Sequence, residues 1–174
     1  MFGWHLSSSS DRAALDLVDG VGAWEGHGPH YSRRTPGSKT FTGVGREVVL
    51  VSRDRSAVWA VVLQNTPAAR GSGASRGRAG APDPRVRQLW RNMLFRNLGA
   101  GLSSRLIRSA TVATYHFWRA RYGDLPDVRL RTEIDVRKVR SSNPGYCYKC
   151  AGWRDGRKVR GKLYLYAPRR TPEC

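Results

Sequence analysis

The chain has 174 residues, a length that suits one domain with a substantial core and is short for two. Its 31 Lys and Arg against 13 Asp and Glu give a formal net charge of +18, which points to a polyanionic partner, most simply DNA or RNA. No stretch approaches the roughly 20 apolar residues of a membrane span. Residues 1–19 lack the basic-then-apolar order of a signal peptide, so we expect a cytoplasmic protein with no membrane partner.

Arginine supplies nearly all of the positive charge. Lysine occurs at only five positions, Lys39, Lys138, Lys149, Lys158 and Lys162. Because guanidinium binds phosphate in a planar fork and also stacks on bases, this choice suits nucleic acid. A GC-rich genome would also enrich arginine, but it would not account for the scarcity of acidic residues.

The first regular elements predicted along the chain are one helix and one β-hairpin. Apolar residues at helical spacing predict a short helix over 11–19, with Ser10 or Asp11 as its N-cap. Two runs rich in β-branched residues, 47–52 and 57–64, predict an antiparallel hairpin.

Two stretches of the chain are predicted to lack regular secondary structure. Residues 24–45 are rich in Gly, Pro, Ser and Arg and are predicted as loop, and about 65–87 as a mobile basic insertion with almost nothing to bury. We therefore divide the chain into an N-terminal extension over 1–45 that is available for substrate contacts, a domain over 46–168, and a tail over 169–174.

The second half alternates strands and helices. In chain order, the pattern predicts a strand over 88–95, a long helix over 102–122, a strand over 128–136, a short helix over 144–151, a turn at 155–156 and a last strand over 159–166. Together with the hairpin, this order indicates an α/β (α+β) fold with a mixed, mostly antiparallel sheet flanked by helices.

A glycine-rich turn connects the predicted strand over 88–95 to the long helix. Arg96, Gly99 and Gly101 fall at the spacing R-x-x-G-x-G, and Ser103 or Ser104 is the predicted helix cap. Such a turn exposes backbone N–H groups at a helix N-terminus, where they and the helix dipole favour phosphate. The turn predicts a phosphate-bearing cofactor, and the alternative is an ordinary loop that uses glycine for its backbone angles.

The order of elements and this turn resemble the GNAT acyltransferase superfamily, in which the turn holds the pyrophosphate of acetyl-CoA. Asn143, followed by Tyr148-Lys149-Cys150-Ala151-Gly152-Trp153, resembles the closing helix of that superfamily, with a shortened Asn-to-Tyr spacing and Trp in place of Phe. The resemblance covers roughly 47–166. It implies a GNAT-like sheet and acetyl-CoA or a related acyl-CoA as cofactor.

Within that superfamily the chain is most similar to the phage Mom family, which modifies adenine in DNA. The residues that carry this likeness are His30-Tyr31, Arg96 with its glycines, Asp135 and the segment from Asn143 to Trp153. The likeness implies a DNA base as acceptor, and it accounts for the positive charge, which a small-molecule acetyltransferase would not need. A base within a duplex would have to be flipped out.

The resemblance also implies roles for individual residues. It assigns the cofactor to Phe95, Arg96, Gly99, Ala100, Gly101, Ser103 and Asn143. It makes Tyr148, or failing it Tyr146, the proton donor or hydrogen-bond partner for the departing thiolate, against a purely packing role.

Three further residues receive roles on the acceptor side. Asp135 lies among basic neighbours that lower the pKa of a carboxyl group, so it suits an orienting role for a substrate amine better than that of a strong base. His30 is a base or a phosphate contact and Tyr31 a stacking platform, against no role in an Arg-rich loop.

Cysteines and tryptophans complete the candidate set. Cys147 and Cys150 form a C-x-x-C, but no histidine lies at ligand spacing, so we predict no metal. Trp59, Trp90 and Trp118 lie on regular apolar faces and are predicted core, whereas Trp4, Trp24 and Trp153 are predicted freer to meet a ligand.

Two other functions remain open at this point. One is an N-acetyltransferase for a small amine or a protein, with arginine enriched by genome composition. The other is a basic nucleic-acid-binding protein without catalysis.

Overall fold

The computed structural model describes residues 3–26, 30, 38–67, 86–139 and 141–169. Within these ranges lie seven strands: β1 (Trp4–Ser7), β2 (Arg46–Ser52), β3 (Ala57–Pro67), β4 (Val86–Asn97), β5 (Arg131–Asp135), β6 (Arg154–Val159) and β7 (Lys162–Tyr166). The helices are α1 (Arg12–Asp19), α2 (Ser103–Tyr122) and α3 (Tyr146–Cys150), with a 3-10 turn at Gly22–Trp24.

All seven strands form one sheet in the order β1-β2-β3-β4-β5-β7-β6. Every neighbouring pair is antiparallel except β4 and β5, which run parallel. Helices flank the sheet, so the predicted mixed, mostly antiparallel α/β architecture is confirmed. None of the helices in the described ranges is long and apolar enough to cross a membrane.

Each face of the sheet carries its own core. Helices α2 and α3 cover one face, where Trp59, Trp118 and Trp153 are among the largest fully buried side chains. Helix α1 covers the other face over β2, β3 and β4, with Leu17 and Val18 completely buried. Full burial of one such large side chain contributes roughly 1.5–3 kcal/mol, so both layers stabilise the sheet.

The N-terminal segment belongs to this sheet. Trp4 to Ser7 pair with Ser52 to Val49, which makes β1 an edge strand, a strand that the sequence pattern did not predict. The Asp11 cap of α1 is confirmed, since its Oδ1 accepts from the Ala14 N–H at 3.2 Å. Strand β1 and helix α1 therefore pack with the same sheet as the later strands.

The predicted turn at 155–156 is wrong. Asp155-Gly156 is not a turn but an irregular step inside β6, where the pairing register with β7 shifts. A Cβ on Gly156 would lie 2.9 Å from the Leu165 side chain, so close strand packing explains this glycine. The hairpin turn is Arg160-Gly161, both with positive φ as a tight turn requires.

The predicted insertion at about 65–87 is strand at both ends, because β3 continues to Pro67 and β4 begins at Val86. Residues 68–85, residues 27–29 and 31–37 of the predicted loop over 24–45, and the tail beyond Arg169 lie outside the described residues. The predicted helix over 144–151 is shorter and spans Tyr146–Cys150.

Candidate cofactor and active site

The parallel pair β4 and β5 opens into a cavity. The two strands pair only at Arg91 with Arg131 and at Asn92 with Thr132, although both continue beyond this point. A cavity of about 160 Å³ lies where they diverge, lined by residues 92–95 of β4, 132–134 of β5, Val139, Gly145, Cys147 and Tyr148.

A β-bulge in β4 lies at the mouth of this divergence. Leu94 pairs with Ala60 and Asn92 with Val61, so Met93 is the extra residue. The Asn92 amide donates to the carbonyls of Ala60 and Leu94, each at 2.9 Å, and holds the bulge. Because a bulge disrupts the ladder, the extra residue in β4 lacks its regular pairing with β3.

Tyr148 reaches the cavity from α3. Its side chain is 7% exposed and packs edge-on against Phe95 and Trp153. Its hydroxyl donates to Asn92 Oδ1 at 2.6 Å, and the Thr132 hydroxyl approaches the same oxygen at 3.5 Å. The hydroxyl of the first predicted proton donor is thus fixed beside the point where the strands separate.

Tyr146 and Asn143 lie elsewhere. Tyr146 is 61% exposed, and a hydrogen bond with Cys150 raises its pKa. Both residues line a separate cavity of about 680 Å³, where Asn143 Oδ1 accepts from Lys149 Nζ at 2.8 Å. The structure therefore does not bring Tyr146 or Asn143 to the cavity that holds Tyr148.

The glycine turn follows β4 and is organised by Asn97. The Asn97 Oδ1 accepts from the N–H groups of Gly99 and Ala100, at 3.2 and 2.9 Å. Its amide donates to the Gly101 carbonyl at 2.7 Å and to the Ser103 hydroxyl at 3.0 Å. One side chain thus fixes the whole turn at the start of α2.

Both glycines of the turn have backbone angles that favour glycine. Gly99 and Gly101 have φ of 128° and 106°, and a Cβ on either would meet nothing within 4 Å. The turn is therefore conformationally restricted but open, as close approach of a ligand requires.

The start of α2 differs from the prediction and is electropositive. Its N-cap is Leu102, which makes no side-chain hydrogen bond, so the predicted Ser103 or Ser104 cap is wrong because both serines already lie inside the first turn. That turn holds no acidic residue, and Arg105 is exposed there. A cation at a helix N-terminus opposes the helix dipole, an arrangement that a bound anion relieves.

Arg96 lies on the face of the sheet away from the cavity. Its side chain is 7% exposed, and Nη1 donates to the Val18 carbonyl at 2.9 Å. Burial lowers the pKa of the guanidinium, and Asp19 opposes that shift. The Arg96 side chain thus connects β4 to α1. Only the backbone of Arg96 remains next to the glycine turn, so the side chain does not contribute to a cofactor site there.

His30 lies next to Arg96. Its N–H donates to the Val18 carbonyl at 2.9 Å, and its ring hydrogen bonds to the Phe95 backbone. Burial, followed by the charge of Arg96, lowers the pKa of His30 to about 4. His30 is therefore neutral near pH 7 and only a weak base, which suits a positioning group and not a cationic phosphate contact.

Asp135 ends β5 and is held by Arg137. The guanidinium donates Nε to Oδ1 and Nη2 to Oδ2, each at 3.1 Å. These hydrogen bonds lower the pKa of Asp135. The carboxylate is an acceptor at neutral pH and not a strong base, as its neighbours predict.

The structure thus gathers Phe95 and Tyr148 at the cavity and Gly99, Ala100, Gly101 and Ser103 at the adjoining turn. Tyr31 lies outside the described residues. Sequence reasoning missed two organising residues, Asn92 and Asn97. The signal for Asn92 was present, because an amide interrupts the apolar run from Leu89 to Phe95.

In the described part of the chain no group of three or more His, Cys, Asp or Glu is arranged to hold a metal ion. Burial raises the pKa of the Cys147 thiol, which lines the cavity. Comparison of the chain with protein-family models, with curated proteins and with solved structures returned no match.

Proposed function

We propose that this chain is an acyl-CoA-dependent transferase of the GNAT type that acylates nucleic acid, with a DNA base such as adenine as acceptor. The observation that carries the proposal is the two-residue parallel pairing of β4 and β5. It opens into a cavity that contains the Tyr148 hydroxyl and is followed along β4 by the glycine turn of α2.

The residues around the cavity and the turn fit an acyl-CoA. The open backbone at Gly99 and Gly101, the start of α2 and the exposed Arg105 suit a pyrophosphate. The narrow cavity of about 160 Å³ beside the bulge suits a thin, uncharged chain ending in a small acyl group. When bound, such a cofactor supplies a thioester carbonyl that an acceptor nitrogen can attack.

The chain's own residues supply positioning and one proton. The bulge at Met93 offers backbone N–H groups where negative charge develops on the carbonyl oxygen. Tyr148 is positioned by its hydrogen bond to Asn92; on turning its hydroxyl away from Asn92 Oδ1 it would give its Oη proton to the departing sulfur, and the acceptor nitrogen, which loses a proton on acylation, would restore it. Asp135 ends β5 outside the lining of this cavity, and it would accept a hydrogen bond from an acceptor amine that reaches it, since its pKa is held low by Arg137.

The charge of the chain supports nucleic acid as the acceptor. A formal charge of +18 in 174 residues exceeds what a small amine substrate calls for. Exposed cations occur on several elements, including Arg105 and Arg108 on α2 and Arg157 and Lys158 on β6. Phosphate contacts of this kind position a nucleic acid without reading its sequence.

The two tyrosines of α3 provide a matched test. Tyr148→Phe removes the hydroxyl in the cavity, and Tyr146→Phe removes the one outside it. We expect Tyr148→Phe to reduce acyl transfer by about 10²-fold or more, as loss of a general acid does, while acetyl-CoA affinity measured by calorimetry stays within about threefold of wild type. Tyr146→Phe should change neither quantity.

Transfer is measured by mass spectrometry of nucleosides from DNA incubated with acetyl-CoA and protein. Failure of the wild type to bind acetyl-CoA would overturn the proposal. If the protein acylates a small amine and every nucleoside mass is unchanged, the acceptor is the small amine and not nucleic acid.

A further inference from the structure

A second groove lies at the other end of the β4 and β5 pairing, away from the Tyr148 cavity. It has a volume of about 720 Å³ and is bounded by the beginning of β4, the segment leading into β5 and the end of β7. Four arginines and two aromatic residues dominate its lining: Arg87, Arg129, Arg131, Arg169, Trp90 and Tyr166. We call it the arginine groove.

Two of the arginines are held in place by tyrosine rings. The Arg129 guanidinium lies 5.0 Å from the ring centroid of Tyr166, and its Nη2 donates to the Ala167 carbonyl at 3.4 Å. The Arg131 guanidinium lies 5.2 Å from the ring centroid of Tyr164. Stacking fixes these side chains without neutralising them, so the groove is ordered before any anion arrives.

The described lining of the groove is predominantly positive. Among the described residues that line it, Asp127 is the only acidic one. Arg91 and Arg131 face each other directly across the β4 and β5 pairing, and within the described ranges neither has a carboxylate partner. Like charges in directly opposed positions destabilise a sheet, and a bound polyanion would relieve that repulsion.

Buried donors at the groove lack acceptors. Trp90 is 3% exposed and its Nε1 has no hydrogen-bond partner among the described residues, and the same holds for Nε of Arg131. By contrast, Trp4, Trp59 and Trp153 donate to Ser109, Thr114 and Thr111 of α2. Orphaned donors are costly, and a ligand rich in acceptors would satisfy those that it reaches.

We infer that the arginine groove binds the phosphodiester backbone of a single DNA strand. Its volume lies within the roughly 300–1,000 Å³ of small-ligand sites, which suits one or two nucleotides and excludes a duplex. Forked arginines and stacked rings are the groups that hold single strands without reading sequence. The inference rests on the nucleic-acid part of the proposed function and is independent of acyl transfer.

A pair of double variants tests the groove. Arg87→Gln with Arg169→Gln removes two exposed charges from it, and Arg12→Gln with Arg119→Gln removes two exposed charges elsewhere. The probe is a fluorescein-labelled single-stranded DNA of about 20 nucleotides, longer than the site of one small module. Affinity is measured by anisotropy over a range of salt concentrations.

We expect the groove variant to bind about tenfold more weakly, with a slope of log K against log salt smaller by about 1.4, since each lost phosphate contact removes about 0.7. The control variant should stay within about threefold at physiological salt, where charges more than about 8 Å from the DNA are screened. Equal losses in both variants, or no loss in the groove variant, would overturn the inference. Circular dichroism melts of all proteins exclude unfolding as the cause.

Two further titrations separate the alternatives. Direct calorimetry with AMP tests for a small-anion site: AMP binding that the groove variant loses, together with unchanged DNA binding, would also overturn the inference. Acetyl-CoA titration of the same proteins separates the groove from the cofactor site. If the groove variant loses DNA binding but still binds acetyl-CoA, the result supports the groove as the DNA site. If the wild type binds DNA through the groove but does not bind acetyl-CoA, the result contradicts acyl transfer and leaves the groove inference standing.

Discussion

At the scale of residues, the clearest chemical feature is a pair of nitrogen-containing side chains on one side of β4. The backbone N–H of His30 and the guanidinium of Arg96 both donate to the Val18 carbonyl, and burial together with the charge of Arg96 keeps the imidazole neutral at physiological pH. Because the His30 ring hydrogen bonds to the Phe95 backbone, its protonation state is coupled to the strand that lines the cavity. His30 is therefore connected to the site without lying in it.

His30 makes folding stability sensitive to acid. Its pKa of about 4 lies below the ordinary value of 6.5, so the unfolded chain binds more protons between these values and stability falls as the pH is lowered through this window. From pH 7 to pH 5 the loss due to His30 is about 2 kcal/mol. Urea unfolding should reveal this loss in wild type and in His5→Gln, an exposed control, and much less of it in His30→Gln. Equal loss of stability in acid for wild type, His5→Gln and His30→Gln would contradict the lowered pKa of His30.

Single residues were predicted well where the neighbours are local in sequence. The Asp11 cap and the core positions of Trp59, Trp90 and Trp118 are confirmed. The predictions that Trp4 and Trp153 are free to meet a ligand are wrong, since they are 6% and 0% exposed. Their indole partners lie on α2, about 100 and 40 residues away in sequence, and no local pattern predicts such pairs.

At the scale of elements, the strand-turn-helix unit from β4 to α2 combines most of the candidate site. The position of its turn was readable from glycine spacing, because positive φ restricts residue choice locally. The role of Asn97 could not be predicted from the sequence, because an Asn after a strand is common and its four hydrogen bonds exist only in the folded turn.

Asn97 allows the charge of the ligand at the turn to be tested. Asn97→Ala removes all four hydrogen bonds, and we expect acetyl-CoA affinity to fall about tenfold as the turn loses order. Asn97→Asp retains the acceptor for Gly99 and Ala100 but adds a negative charge, so it should bind acetyl-CoA more weakly than the alanine variant does. Calorimetric titration measures both. An aspartate variant that binds better than the alanine variant would argue against a phosphate at this turn.

At the scale of the whole molecule, the N-terminal segment is part of the folded domain. Trp4 on β1 is buried under α2, and its Nε1 donates to Ser109 Oγ at 2.9 Å. The strand is too short and polar for its pairing to be visible in the sequence, because β1 is an edge strand whose partner is more than 40 residues away. The order of strands in the sheet and the face that each helix covers also depend on contacts between residues that are distant in sequence, so the sequence pattern does not predict them.

Trp4 is therefore expected to contribute to global stability. Trp4→Ala leaves a cavity in the core and should lower the free energy of unfolding by about 3–5 kcal/mol. Ser109→Ala keeps the ring but strands the buried indole N–H and should cost about 1–3 kcal/mol. Urea denaturation at neutral pH measures both. A Trp4→Ala protein that unfolds at the wild-type midpoint would show that the segment adds nothing to the fold.

The short pairing of β4 with β5 also has a mechanical consequence. Strands β1 to β4 and strands β5, β7 and β6 form two subsheets that share only two residue pairs of ladder, with the cavity on one side of that seam and the arginine groove on the other. Local opening is least costly where few backbone hydrogen bonds must break. We therefore expect hydrogen exchange to be faster at this seam than within either subsheet, and both sites adjoin it.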